Sequence, residues 1–172
     1  MRTEEIHIIL MQTTTLLARL IRIISREPYS HVSIALDPAL QKAYSFGRKR
    51  PRFMFPAGFV VEDLPSVFRQ YPAVRYGVYR LAVTPGEYRR IQKEIMHFQA
   101  ETAYGYNCLG VVAAWFGLAI PRKRHYFCSQ FVAHVVDTAR PGLWGRPPEL
   151  MRPCDYRTSP LLELVRSHQT VA

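Results

Sequence analysis

Strand-like segments fill the first half of this chain and helix-like segments the second, and that segregation constrains the fold more than any single motif. Ile6-His7-Ile8-Ile9-Leu10-Met11 is apolar and β-branched and reads as a buried strand. Thr13, Thr14 and Thr15 cap a predicted helix with Leu16, Leu17, Leu20, Ile21, Ile23 and Ile24 on its apolar stripe. Arg19, Arg22 and Arg26 mark its wet side and Pro28 stops it. Residues 30–36 and 42–46, turned at Asp37-Pro38-Ala39-Leu40, read as a hairpin. A basic loop over 47–56 follows, then strands over 58–64 and 77–83. Helices are expected over 87–101, over about 107–118, from Cys128 to about Thr138, and over 159–167. The second of these is apolar nearly all round, which predicts a central position. Hairpin-like strands followed by helices imply an α+β fold, an antiparallel sheet packed against helices.

At 172 residues the chain is expected to form one domain over 1–172, burying roughly 70% of its unfolded surface. Cys108, Cys128 and Cys154 form neither a paired framework nor a ligand-spaced Cys/His cluster. No disulfide scaffold, metal or other cofactor is therefore expected, and a reducing compartment is. The start, Met1-Arg2 with Glu4 and Glu5, lacks the pattern of a secretory signal. The longest apolar stretch, 109–120, is too short to span a bilayer, so a cytoplasmic location is expected. The net charge of +10 favours an anionic partner, whether nucleic acid, phospholipid surface or acidic polymer; otherwise it marks a soluble surface.

Chemistry concentrates at Cys128, in Tyr126-Phe127-Cys128-Ser129-Gln130-Phe131-Val132. A thiol in the first turn of a helix feels the positive end of the helix dipole, which lowers its pKa and favours the nucleophilic thiolate. Such a nucleophile needs a base within hydrogen-bond reach, and the base needs an orienting partner. His31 stands at the start of a strand, where a ring can sit over a packed helix end. His134 lies more than a turn into the Cys128 helix and points away, while His125 sits in a basic loop. The orienting partner depends on strand register. A two-residue hairpin loop places Tyr44 opposite His31, an odd loop favours Ser45, and Glu62 on the next strand is a further candidate. Cys108 fits an apolar core position and Cys154 lies incidentally between Pro153 and Asp155.

Tyr29-Ser30-His31-Val32-Ser33-Ile34-Ala35-Leu36, followed much later by Phe127-Cys128-Ser129-Gln130-Phe131-Val132, resembles the NlpC-type papain-like cysteine peptidase superfamily. Histidine precedes cysteine here, so the chain resembles the circularly permuted branch, the YiiX-like proteins and relatives of lecithin retinol acyltransferase. The segment Lys42-Ala43-Tyr44-Ser45-Phe46-Gly47-Arg48 is similar to the strand carrying that branch's third catalytic residue. The resemblance covers about residues 27–140. It implies a permuted papain-like fold and a Cys128–His31 pair that hydrolyses or transfers an acyl group, as peptidase, amidase or thioesterase. Tyr44 departs from the His, Glu, Asn or Gln usual at the third position.

The expected partner is a small-molecule, peptide or lipid-like acyl substrate. Arg48, Lys49, Arg50 and Arg52 in one loop, and Arg122, Lys123 and Arg124 in another, are expected to flank one cleft. They would favour an anionic substrate or a membrane surface at its rim. Two other classes compete. One is a binding module with a degraded site and a basic cleft for an anionic ligand. The other is a nucleic-acid binder, for which Arg50-Pro51-Arg52-Phe53-Met54-Phe55 offers interleaved basic and aromatic residues but no recognised motif.

Overall fold

The computed structural model describes residues 3–13, 27–49 and 57–168. Six strands form one sheet: β1 (Glu4–Met11), β2 (His31–Ala35), β3 (Lys42–Arg48), β4 (Ala57–Asp63), β5 (Tyr76–Val83) and β8 (Glu163–His168), in the order β4-β3-β2-β1-β5-β8. Every neighbouring pair is antiparallel. Two short strands, β6 (Gly105–Tyr106) and β7 (His125–Tyr126), pair in parallel apart from it. The helices are α1 (Leu64–Gln70), α2 (Pro85–Ala100), α3 (Cys108–Trp115), α4 (Cys128–Ala139) and α5 (Pro153–Arg157). The architecture is mixed α+β with a mostly antiparallel sheet.

The unbroken apolar run of β1 has a structural cause: the strand is buried on both faces. Ile6, Ile8 and Leu10 join Val32, Ile34 and Phe46 under α2 and α4, through Ile91, Ile95, Phe131 and Val135. Ile9 and Met11 face the other way, with Ala35, Ala43 and Val78, and Leu64 of α1 covers them. Phe46, Phe59, Phe98 and Phe131 interlock between β3, β4, α2 and α4, with centroids 5.1–6.3 Å apart and mostly edge-on. This cluster seats α4 over the β2–β3 end of the sheet.

Glu87 ties α2 to α4. Thr84 Oγ1 accepts from the Glu87 N–H at 3.2 Å, and Glu87 Oε2 accepts from the Thr84 N–H at 2.7 Å, a reciprocal helix cap. The same carboxylate accepts two bonds from Arg140, Nε to Oε1 at 2.7 Å and Nη2 to Oε2 at 2.6 Å. The Arg140 bonds, with the cap, hold its pKa at about 2. A depressed folded-state pKa contributes stability that is complete above the unfolded value of 4.5 and is lost as pH falls toward 2. The pair lies near the surface, so solvent screening trims its worth. Glu87→Gln keeps the cap but not the charge. It is expected to cost about 1 kcal/mol at neutral pH, a difference that closes as both proteins are unfolded by denaturant at steadily lower pH.

Three expectations change. Residues 159–167 do not form a helix: β8 hydrogen-bonds to β5, from Tyr76 opposite His168 to Arg80 opposite Glu163. All six β8 residues are exposed, so no apolar face rewards a helix, while the open β5 edge offers a row of unpaired backbone groups. The apolar helix α3 is not central: Leu109 and Val112 are exposed, and only its Val111 and Ala114 side packs, against Phe127. Third, Ile34 stands opposite Tyr44, a register outside the two-residue loop that would set Tyr44 against His31. The predicted helix after β1 and most of the basic loop, including Arg50 and Arg52, lie outside the described residues.

Candidate active site

Cys128 opens α4, and the preceding turn is built to hold it there. Phe127 is fully buried against Val111 and Ala114. Ser129 Oγ donates to the Met151 carbonyl at 2.7 Å, and the buried Tyr156 hydroxyl donates to the Ser129 carbonyl, also at 2.7 Å. Phe127 occupies the N-cap without a side-chain oxygen to occupy the first-turn amides. Those N–H groups are left for other acceptors.

His31, at the start of β2, reaches the same point. Its Nε2 lies 2.7 Å from Glu62 Oε1, and the ring hydrogen-bonds the Cys128 sulfur. With Nε2 engaged by the carboxylate, Nδ1 is the ring nitrogen left for the thiol. Counting along the ladder from the Ile34–Tyr44 pair brings Gly47 opposite His31, and Gly47 pairs with Gly58 on β4. Neither has a side chain. A Cβ on Gly47 would lie 3.8 Å from His31 Cε1 and 3.7 Å from Val60 Cγ2, so the imidazole spreads over that position toward β4, where Glu62 meets it. A methyl group fits there in ordinary contact; a longer side chain would displace the ring.

The orienting partner of His31 is therefore Glu62, not Tyr44 or Ser45. Tyr44 stacks on Phe59 at 6.4 Å and belongs to the core packing. Ser45 Oγ is spent on the Val32 carbonyl at 2.6 Å. The reason is the register: it carries both residues up the strand, past the imidazole.

A residue that sequence reasoning missed completes the site. The Tyr106 phenol lies close enough to the Cys128 sulfur and N–H to interact with both, and burial with the neighbouring sulfur pushes its pKa well up. Tyr106 is placed by β6, whose two residues pair with the two residues of β7 just before Cys128. Gly58 braces that segment from the sheet: a Cβ there would come 2.5 Å from the Tyr104 carbonyl. A parallel pairing of two residues leaves no periodic signature in sequence, so nothing but proximity to Phe127-Cys128 could have flagged Tyr106.

The electrostatics favour an ion pair. Burial pushes the Cys128 thiol up, but the hydrogen bond and charge of His31, with the N–H groups of Val32 and Ser129, outweigh it and bring the pKa below 9.0. Burial likewise works against the His31 imidazolium, yet the Glu62 charge and the sulfur raise its pKa well above 6.5. Thiolate and imidazolium stabilise each other, as a poised cysteine nucleophile requires. Cys128 is only 3% exposed; the His31 and Glu62 side chains keep 12% and 17%. Approach is thus along the imidazole and the half-buried Tyr106.

Two of the other histidines, His125 and His134, are engaged elsewhere. His125 Nδ1 lies 2.8 Å from its own loop's Lys123 carbonyl, and His134 Nε2 lies 3.3 Å from Glu94. Cys108 and Cys154 are free and half-buried, and burial raises the Cys154 pKa. A cavity of about 410 Å³ opens on the flank of α4 beside Gln130 and His134, lined by Arg122, Lys123 and Arg124, but neither Cys128 nor His31 lines it. Of the two basic loops only the second lines it: Lys49 comes near Gly58, but neither Arg48 nor Lys49 is among the lining residues, and Arg50 and Arg52 lie outside the described residues.

No family model matches the chain, and no curated protein matches it. Among solved structures it is similar to the crystal structure of the metalloprotein YiiX from Escherichia coli O157:H7 (DUF1105), at 13% sequence identity and a TM-score of 0.64 over 96% of this chain and 98% of that one. At that identity the likeness is one of fold. Among the described residues no group of three or more His, Cys, Asp or Glu is placed to hold a metal ion, so the side chains described here do not match a metal centre. No described helix is long and apolar enough to cross a membrane.

Proposed function

We propose that this chain is a cysteine hydrolase or acyltransferase of the permuted papain-like kind, working through an acyl-enzyme on Cys128. The observation that carries the reading is the relay Glu62–His31–Cys128, ending at a helix start whose Ser129 N–H faces the sulfur. The histidine strand precedes the cysteine helix, the order of the permuted branch, and the end-to-end likeness to the YiiX structure is consistent with it.

In this mechanism the Cys128 thiolate adds to a carbonyl carbon. The carbonyl oxygen takes up the negative charge; the Cys128 N–H and Tyr106 O–H are the nearby donors, and each would turn from its present contact, with the phenol oxygen and with the sulfur, to bind it. The carbon–heteroatom bond then breaks, and the leaving group takes the His31 proton from Nδ1. Water or an acceptor nucleophile gives a proton back to the now neutral His31 as it attacks the thioester, and the sulfur leaves as thiolate. Glu62 holds the ring and stabilises its charged form throughout.

The test is to trap the intermediate. The full chain is incubated with p-nitrophenyl esters, acyl thioesters and aminoacyl amides, quenched in acid and digested. An acyl adduct on the peptide carrying Cys128, absent from Cys128→Ala, is the expected result and also reports the bond class. Adducts spread over Cys108 and Cys154, or none from any substrate, would overturn it.

The basic cavity beside Gln130 favours one second reading, a binding module for an anionic ligand. It requires an anion to bind equally well to the wild type and to Cys128→Ala, with no adduct in either.

A further inference from the structure

Helix α3 and the loop after it present an apolar surface that the fold leaves uncovered. Leu109 is 64% exposed, Val112 38% and Phe116 67%, spaced so that they share one helical face. Leu118 and Ile120 follow at 59% and 39%. Five of the eleven exposed large hydrophobic residues among those described thus fall within residues 109–120; of the other six, three lie at 161–165 and three stand apart. The opposite side of α3, Val111 and Ala114, is occupied by Phe127 beside the reactive cysteine.

The display is rigid. Gly117 adopts a left-handed conformation, φ 72°. The Leu118 N–H reaches back to the Ala113 carbonyl at 3.0 Å and the Gly117 N–H to the Ala114 carbonyl at 3.2 Å. This is the glycine-terminated helix end in which the residue after the glycine ordinarily tucks against the last turn. Here that residue, Leu118, projects into solvent instead. Arg152 lies over the Trp115 ring at 5.1 Å, closing the neighbouring side.

Cations border the patch directly. Arg122, Lys123 and Arg124 follow Ile120 after one proline, and all three are exposed. Arg122 and Lys123 make no ion pair among the described residues, and Arg124 only a loose one with Glu101 at 3.7 Å. Arg124 is itself held at a positive φ of 57°, and the Arg122–His125 bridge closes the turn. Glu149, across the adjoining cavity, is the acidic residue that faces them. Exposed aliphatic and aromatic side chains rimmed by exposed cations match the layered chemistry of an acidic bilayer, acyl chains beneath and anionic headgroups above.

We infer that residues 109–124 form a peripheral docking surface for anionic phospholipid membranes, with Leu109, Phe116 and Leu118 entering the acyl boundary and Arg122, Lys123 and Arg124 meeting the headgroups. This rests on exposure and charge alone and stands whether or not Cys128 carries an acyl group. The stripe is too short to span the bilayer, so the association is superficial and reversible.

Vesicle sedimentation of the full, reduced chain tests it, with phosphatidylcholine vesicles lacking or containing about one-third phosphatidylserine. Binding to the acidic vesicles is expected to exceed binding to the neutral ones by roughly fivefold per basic side chain, about a hundredfold for three. Phe116→Asp with Leu118→Asp removes solvent-exposed groups, so the fold survives, as circular dichroism will show. It is expected to weaken binding to acidic vesicles by at least about tenfold. Changing Arg122, Lys123 and Arg124 to glutamine is expected to level the two vesicle types. Three results would overturn the inference: no binding by the wild type, salt-sensitive binding indifferent to the Phe116 and Leu118 changes, or self-association of the chain that those changes abolish, which would make a second copy the occupant.

Discussion

His31→Ala is expected to slow alkylation of Cys128 by iodoacetamide near neutral pH by roughly 10²–10³-fold and to reduce any acyl turnover at least as far. The buried thiol is kept below its ordinary pKa of 9.0 chiefly by the imidazolium. Without it, burial remains and pushes the thiol upward, and each unit costs a factor of ten in thiolate at a given pH. The loss also removes the proton donor for the leaving group, so turnover falls further than alkylation does. A small reagent is the right probe because the sulfur is almost covered. Alkylation as fast in His31→Ala as in the wild type would show that the ring does not activate the sulfur.

Glu62→Gln is expected to lower kcat/KM by about 10–10²-fold and to change the shape of the pH profile. The reactive ion pair exists above the depressed thiol pKa and below the raised imidazolium pKa, which gives a plateau with an acid limb and a basic limb. The Glu62 charge holds the basic limb up. The amide keeps a hydrogen bond to Nε2 but removes that charge, so the imidazolium deprotonates at lower pH and the basic limb moves toward acid. A purely structural role for Glu62 would move stability and leave the limb in place. Glu62 Oε2 is buried with no hydrogen-bond partner among the described residues, so the amide would place there an NH2 group that also lacks a partner, besides removing the counter-charge of the imidazolium. The melting temperature is expected to fall modestly, and the shifted limb is what separates the electrostatic role from that loss. Tyr44→Phe is the control, with kcat/KM and limb positions unchanged, because that ring only packs.

Much of this site was legible before any coordinates, and its gaps have identifiable causes. Cys128 and His31 each stand at the start of an element, a boundary that local sequence announces. Their meeting depends on α4 lying over the end of the sheet, which the buried Phe131 and the apolar β1 foreshadow. The third residue was ambiguous among Tyr44, Ser45 and Glu62 because register follows from loop geometry, and residues 36–41 hold a non-glycine residue, Leu40, at a φ of 54° that composition does not reveal. Tyr106 was invisible because two residue pairs in parallel make no pattern. The last strand reads as a helix in sequence for the opposite reason: its side chains decide nothing, and the free edge of β5 decides everything. The apolarity of α3 was read as burial because composition alone cannot say which faces find partners.

The bonds from Ser129 to Met151 and from Tyr156 to Ser129 have a consequence for the chain as it is made. During synthesis the imidazole, the carboxylate and the sulfur all leave the ribosome before the two groups that fix the nucleophile's helix. On the proposed function, the nascent chain would carry the thiol and imidazole before the contacts that fix the start of α4 exist, and the reactivity of Cys128 would wait for residues 151–156 to dock.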